Sequence, residues 1–170
     1  MIIRQEKPAD REEIFSVVES AFLSAEQSDG NEQFLVNKLR AGDSYIPELS
    51  LVAEEDGRIT GHILFTRAEV QGKTVLALAP LSVLPEYQRT GIRTALINAG
   101  HEIARSLGYE YSVVLGSEAY YPKHGYIPAE TYGIFPPFEV PRENFMAIKL
   151  RDGAGDISGV LRYAKEFDIE

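Results

Sequence analysis

Apolar positions change their spacing along the chain, and the changes divide it into elements. Ile2 and Ile3 open it as a short strand. Pro8 and Asp10 mark a helix start, with Asp10 and Glu13 spaced as a capping box. Ile14, Val17, Val18, Ala21 and Phe22 then recur at the spacing of one buried helical face. The polar segment SAEQSDGN, residues 24–31, separates this helix from a second over 32–40 that carries Phe34, Leu35 and Leu39. The period then drops toward two. LSLVAEE (49–55), ITGHILFTRAEV (59–70) and KTVLALAPLSVL (73–84) read as strands, and Asp56-Gly57 and Gln71-Gly72 are hairpin turns between them. The middle of the chain is predicted to be an antiparallel meander.

The helical period returns over 90–107. Leu96, Ala99, Ile103 and Leu107 are the expected buried stripe, and Gly108 ends the helix. YEYSVVLG (109–116) reads as a buried strand and 118–123 as a short helix or turn. Strands are expected near 126–134 and 144–150, and a short terminal helix near 159–167. No repeat or linker interrupts the pattern. Residues 1–170 are expected to form one α+β domain, a mixed and mostly antiparallel sheet flanked by helices.

Composition narrows the function. Apolar residues make up 44%, enough for a core. The net charge of −9 argues against nucleic acid and suits a cationic small-molecule partner. The absence of cysteine removes disulfides, thiolate nucleophiles and zinc–sulfur sites. His62, His101 and His124 lack metal-ligand spacing, so no metal is expected. The longest uncharged run, 74–85, has 12 residues, too few to span a membrane. MIIRQEKPADREEIF carries no apolar core of a secretion signal, and a cytoplasmic protein is expected.

The candidate chemistry sits at QRTGIR, where a strand turns into the long helix. A helix start exposes unpaired N–H groups and the positive end of the helix dipole. Gly91 lets a ligand approach the backbone, and Gln88 and Arg89 add donors. The corner suits a phosphate or pyrophosphate. Pro80 and Pro85 flank LSVL, and a proline in a sheet marks an edge, an end or a bulge. Backbone groups left unpaired there suit an extended, amide-bearing ligand. Coenzyme A has both a pyrophosphate and such an arm.

These segments resemble the GNAT superfamily of N-acetyltransferases. Its Q/R-x-x-G-x-G/A motif reads here Gln88-Arg89-Thr90-Gly91-Ile92-Arg93, and its Y-x-x-x-G-F/Y signature reads Tyr121 to Gly125-Tyr126. SLVAEEDGRITGHILFTRAEV, YYPKHGY and VPRENFMAIKL are also similar to the bacterial YhbS-like branch. The resemblance implies acetyl-CoA as cosubstrate, with its pantetheine arm in a wedge between the 73–84 and 109–116 strands. It implies cofactor contacts at Leu81, Ser82 and Val83, with the Val83 N–H stabilising the developing oxyanion. The N–H groups from Arg89 through Thr90, Gly91, Ile92 and Arg93 to Thr94 would hold the pyrophosphate. An amine would attack directly, and Tyr121 would protonate the leaving thiolate.

The chain departs from the family pattern in three places. Arg93 replaces Gly or Ala, and either points away from the anion or adds a cation to it. GSEAYY lacks the asparagine of many members, with Ser117 as a partial stand-in. The 76–83 strand has no Glu to act as base, which leaves Glu118, Glu69, His62 and Glu86 unranked. Glu26, Asp29, Glu32, Glu130, Glu139 and the loop YGIFPPFEVP (132–141) are expected on the substrate side. The expected partner is a small-molecule or peptide amine, cationic before reaction, acting on a monomer or homodimer. The alternative is a non-catalytic acyl-CoA-binding or sensor domain with the same fold.

Overall fold

A computed structural model describes residues 1–23, 25 and 28–169. Strand β1 (Ile2–Gln5) leads into helix α1 (Arg11–Phe22) and helix α2 (Glu32–Arg40). The meander follows as β2 (Tyr45–Glu55), β3 (Arg58–Val70) and β4 (Lys73–Val83), and helix α3 (Ile92–Ser106) leads to β5 (Tyr111–Leu115). The C-terminal part holds β6 (Ile127–Pro128), β7 (Ile134–Phe135), β8 (Phe145–Lys149) and β9 (Gly159–Arg162). The sheet runs β1-β2-β3-β4-β5-β8-β6; only the β4–β5 pair in that series is parallel. The architecture is α+β with a mostly antiparallel sheet. No helix among the described residues is long and apolar enough to cross a membrane.

Both hairpins of the meander turn through left-handed residues: Asp56 and Gly57 have φ of 51° and 78°, Gln71 and Gly72 of 50° and 80°. Positive φ at both turn positions matches the twist of the flanking strands. The sheet then separates two apolar layers. Leu51, Ala53, Ile63, Leu81 and Val83 face α3 through Ile92, Leu96 and Ile97. Val52, Ile59 and Leu84 face α1 and α2 through Ile14, Val17, Val18 and Val36.

Four expectations need correction. Asp10 does not pair with Glu13 as a capping box. It reaches back to the Lys7 N–H at 2.6 Å and binds Arg4, while Glu13 accepts the Ile59 N–H at 2.8 Å and ties α1 to β3. The buried stripe of α3 is Ile92, Leu96, Ile97, Gly100, His101 and Ala104, and Leu107 is 43% exposed. Gly100 and His101 carry no apolar signal, yet the first admits the Phe65 ring and the second is satisfied by Tyr126. The expected 126–134 strand is cut by a 3-10 turn at Ala129–Tyr132. Residues 159–162 form a strand rather than a helix, because they pair with β7 and with the end of β3 at Glu69 and Val70.

Helix α3 comes close to the sheet at Gly100, where a Cβ would stand 2.3 Å from Phe65 Cε1. Overpacking typically costs about 1–3 kcal/mol, against about 1 kcal/mol gained from replacing glycine in a helix. Gly100→Ala is therefore expected to lower the thermal midpoint by about 2–4 °C, measured by calorimetry.

Candidate active site

The site begins with a defect in β4. Phe65 pairs with Leu78, but Ile63 pairs with Leu81, so β4 carries one extra residue in the segment that holds Pro80. This is a β-bulge, where an unpaired residue bends the strand. The parallel pairing with β5 is confined to Leu76↔Ser112 and Ala77↔Val113. Past it, β4 keeps β3 on one side and has no strand on the other.

The direction of its amides follows. Leu84 donates to the Thr60 carbonyl at 2.9 Å, so its N–H faces β3. Amide direction alternates along a strand. Ser82 therefore also faces β3, and the N–H groups of Leu81 and Val83 face the open wedge. The Val83 carbonyl, pointing the same way, accepts the Gln88 side-chain amide at 3.4 Å. Ser82 stands apart from the other predicted cofactor contacts: its amide is spent on β3 and its side chain lies on the α1 face.

The chain then enters the QRTGIR corner. Thr90 Oγ1 donates to the Tyr87 carbonyl and fixes the turn. Arg89 and Gly91 both lie in the left-handed region, at φ 65° and 89°. The first helical bond of α3 runs from the Ala95 N–H to the Gly91 carbonyl at 3.0 Å. The N–H groups of residues 89–94 find no acceptor among the described residues. They border a pocket of about 270 Å³ lined by Val83, Gln88, Arg89, Gly91, Arg93 and Thr94, with Tyr87 and Tyr120 completing it. Ile92 is buried and contributes its backbone and its apolar anchor.

Arg93 neither closes the corner nor turns fully outward. Its guanidinium lies over the Tyr120 ring, 4.9 Å from the centroid, on the pocket wall. Tyr120 was not predicted from the sequence; the Tyr120-Tyr121 doublet was its only sign. Tyr121 is half-buried, packs edge-on to Tyr120 and Tyr126, and lies where a Cβ on Gly116 would stand 2.4 Å from its ring. Burial pushes the Tyr121 phenol up to about 12, against the opposing charge of Arg93. It holds its proton at neutral pH. Ser117 supports this turn: its Oγ accepts the Ala119 N–H at 3.1 Å, and its carbonyl accepts those of Tyr120 and Tyr121.

The base candidates separate by position. Glu69 pairs with Thr74 at the far end of β3, eight residues from Gly61, the partner of Val83, or about 27 Å along the strand. Glu86 is exposed and stands 3.5 Å from Arg58. Glu118 is exposed and accepts Asn144 Nδ2 at 2.6 Å. His62 is fully buried on the α1 face. Several expected substrate-side carboxylates are already engaged: Asp29 with the Asn31 N–H, Glu32 with Ser28 and Glu130 with Arg142. Glu26 lies outside the described residues. The 132–141 loop turns Phe138 inward onto Tyr163 and Phe145. No cluster of metal-ligating side chains occurs among the described residues.

A model of the acetyltransferase (GNAT) family matches residues 11–126. The chain belongs to the GNAT family. Among its GNAT relatives, the uncharacterized N-acetyltransferase YjhQ of Escherichia coli K12 is 39% identical over 80% of this chain and 75% of that protein. The uncharacterized N-acetyltransferase YhbS of the same strain is 30% identical over 99% of each. The crystal structure of E. coli YhbS in complex with CoA superposes with a TM-score of 0.89, at 28% identity, over 98% of this chain and 91% of that one. A GNAT acetyltransferase from Brucella melitensis, in complex with acetyl-CoA, gives 0.82 at 34% identity over 98% and 97%.

Behind Tyr121, the Tyr126 hydroxyl sits between His101 Nε2 and Ser112 Oγ, each 2.9 Å away. Burial holds His101 down at about 4, with the charges of Arg105 and His124 adding to it. A histidine depressed on folding stabilises fully above its ordinary value near 6.5 and loses that contribution as pH falls. The thermal midpoint of this GNAT protein is therefore expected to fall between about pH 6.5 and 4. His101→Gln is expected to flatten that part of the profile, read by calorimetry across pH.

Proposed function

We propose that this GNAT protein transfers the acetyl group of acetyl-CoA to a primary amine by direct attack on the thioester. One observation carries the reading. The unpaired N–H groups of residues 89–94 and those of Leu81 and Val83 lie along a single path from the α3 start to the bulge in β4. The pyrophosphate sits on the first set, with Gln88, Arg89 and Arg93 around it. The pantetheine amides run along the second in place of a missing strand. The Val83 N–H meets the thioester oxygen as it gains charge; a fixed donor there is worth more in the transition state than in the ground state.

When the neutral amine nitrogen bonds to the carbonyl carbon, it gives up a proton to solvent, the C–S bond breaks and charge moves to sulfur. Tyr121 supplies the proton to that thiolate. Its raised proton affinity suits the role because the same burial acts on the nascent thiolate, whose own affinity for a proton rises as water is excluded. A groove of about 600 Å³ lined by Leu115, Ser117, Glu118, Val140 and Asn144 opens beside the Tyr121 turn. Glu118 and the net charge of −9 support an acceptor that arrives as a cation, a small-molecule or peptide amine.

Calorimetric titration tests the anion site. Acetyl-CoA is expected to bind and free pantetheine to fail, with 3′-dephospho-CoA separating the contribution of the 3′-phosphate. Absence of binding by every CoA species overturns the reading. Arg93→Ala is expected to weaken acetyl-CoA binding about tenfold, the size of one charge-assisted hydrogen bond. Tyr121→Phe is expected to lower kcat about 10²-fold with acetyl-CoA affinity retained, in an acceptor screen that follows thiol release. Acetyl-CoA binding with no transfer to any amine supports the acyl-CoA sensor instead.

A further inference from the structure

The end of β5 is fastened to the residue just before β8. Gly116 donates its N–H to the Asn144 carbonyl at 2.9 Å, and Asn144 Nδ2 donates back to the Gly116 carbonyl at 3.1 Å. The same Nδ2 donates to Glu118 Oε2 at 2.6 Å. Both of its partners are acceptors, so the atom between them is the amide nitrogen, and its two hydrogens are spent. Asn144 Oδ1 and Glu118 Oε1 are left over, two acceptors with no donor among the described residues. Glu118 has no cationic partner among those residues either, and Arg142, on the same loop as Asn144, is paired with Glu130.

Glu118 and Asn144 line the groove of about 600 Å³ together with Leu115, Val140 and Pro141. Side chains alternate along β5. Val114 packs toward α3, and Gly116 meets the Tyr121 ring on that side. Val113 belongs to the cluster on the opposite face, against which Val140 packs, and Leu115 follows it there. Leu115 is 48% exposed, an apolar side chain left uncovered in the groove. It stands two residues past Val113, the last residue of β5 paired with β4, or about 7 Å along the strand. The groove therefore opens at the rim of the wedge, on the face away from α3. None of its lining residues comes from α1 or α2, which cover that face further along the sheet.

We propose that the acceptor is a primary amine carrying a second cation, and that Glu118 and Asn144 Oδ1 bind this second cation while the carbon chain between lies on Leu115 and Val140. This rests on the acetyltransferase reading above and names the class of its acceptor. The nitrogen that attacks the thioester must be neutral, because its lone pair forms the new bond. A carboxylate beside an amine favours the charged form and so opposes attack. Glu118 therefore suits a nitrogen that stays charged, at the far end of the molecule from the one that reacts. An ammonium brings three donors and a guanidinium five, enough for both free acceptors. Asn144 is a positioning residue: it ties the carboxylate to the end of β5, three residues before Tyr121 in the same turn.

The test is steady-state transfer from acetyl-CoA to three sets of acceptors: α,ω-diaminoalkanes of about three to six carbons, n-alkylamines of the same lengths, and the matching ω-amino acids. The diamine of best length is expected to exceed its monoamine about tenfold in kcat/KM, through KM and after correction for its two equivalent ends. The ω-amino acid is expected to fall below both, and the differences are expected to shrink as salt rises. Glu118→Gln is expected to remove the preference, lowering kcat/KM for the diamine about tenfold with acetyl-CoA affinity retained. Asn144→Ala is expected to remove part of it, and Glu118→Lys to reverse it in favour of the ω-amino acid. A diamine preference that survives Glu118→Gln, an equal loss for diamine and monoamine, or transfer confined to amines without a second cation overturns the proposal. Absence of transfer to any amine by the unaltered protein removes the acetyltransferase reading and this one together; transfer without a preference that depends on Glu118 removes only this one.

Discussion

A backbone amide in a protein interior must find an acceptor, and β4 meets this requirement on one side only. At Leu76 and Ala77 it has neighbours on both sides. Beyond the bulge it keeps β3 and parts from β5. The rest of the site depends on that separation. It turns Leu81 and Val83 toward an opening, delivers the chain to the QRTGIR corner and launches α3 from the mouth of the wedge. A sheet with continuous pairing would have consumed the same donors internally.

The two faces of β4 then divide the work. The α3 face is apolar and holds the strand firmly, with Phe65 pressed against Gly100. The α1 face carries buried polar side chains that are costly unless paired. Arg40, Glu6, Ser50 and His62 satisfy one another in series and join α2, the segment after β1, β2 and β3. The residual imbalance falls on His62 and Ser82, beside the strand segment whose amides are free.

Local signals made much of this legible. The bounds of α2, the two hairpin turns and the bulge near Pro80 follow from residue types within a few positions of each feature. The QRTGIR corner is legible for the same reason, since a glycine and flanking donors at a helix start are all adjacent. What escaped depends on distant partners. Glu6 acquires its role from Arg40 and Ser50, which are 34 and 44 residues away. Tyr120 acquires its role from Arg93. GVLR becomes a strand because β7 and the overhanging end of β3 pair with it, and the stripe of α3 rotates because a glycine and a histidine meet aromatic rings from other elements.

Arg89 has a consequence for how such a protein tolerates change. Its left-handed backbone is uncommon for any residue other than glycine and carries about 1–3 kcal/mol of strain. Glycine there would relax the loop and remove a cation from the lining of the corner pocket at once. Selection for heat tolerance alone would favour that exchange, while selection for ligand capture would resist it. If the corner holds the pyrophosphate as proposed, the loop is a compromise in which some robustness of the resting protein is given up to keep a positive charge where the chain turns into α3.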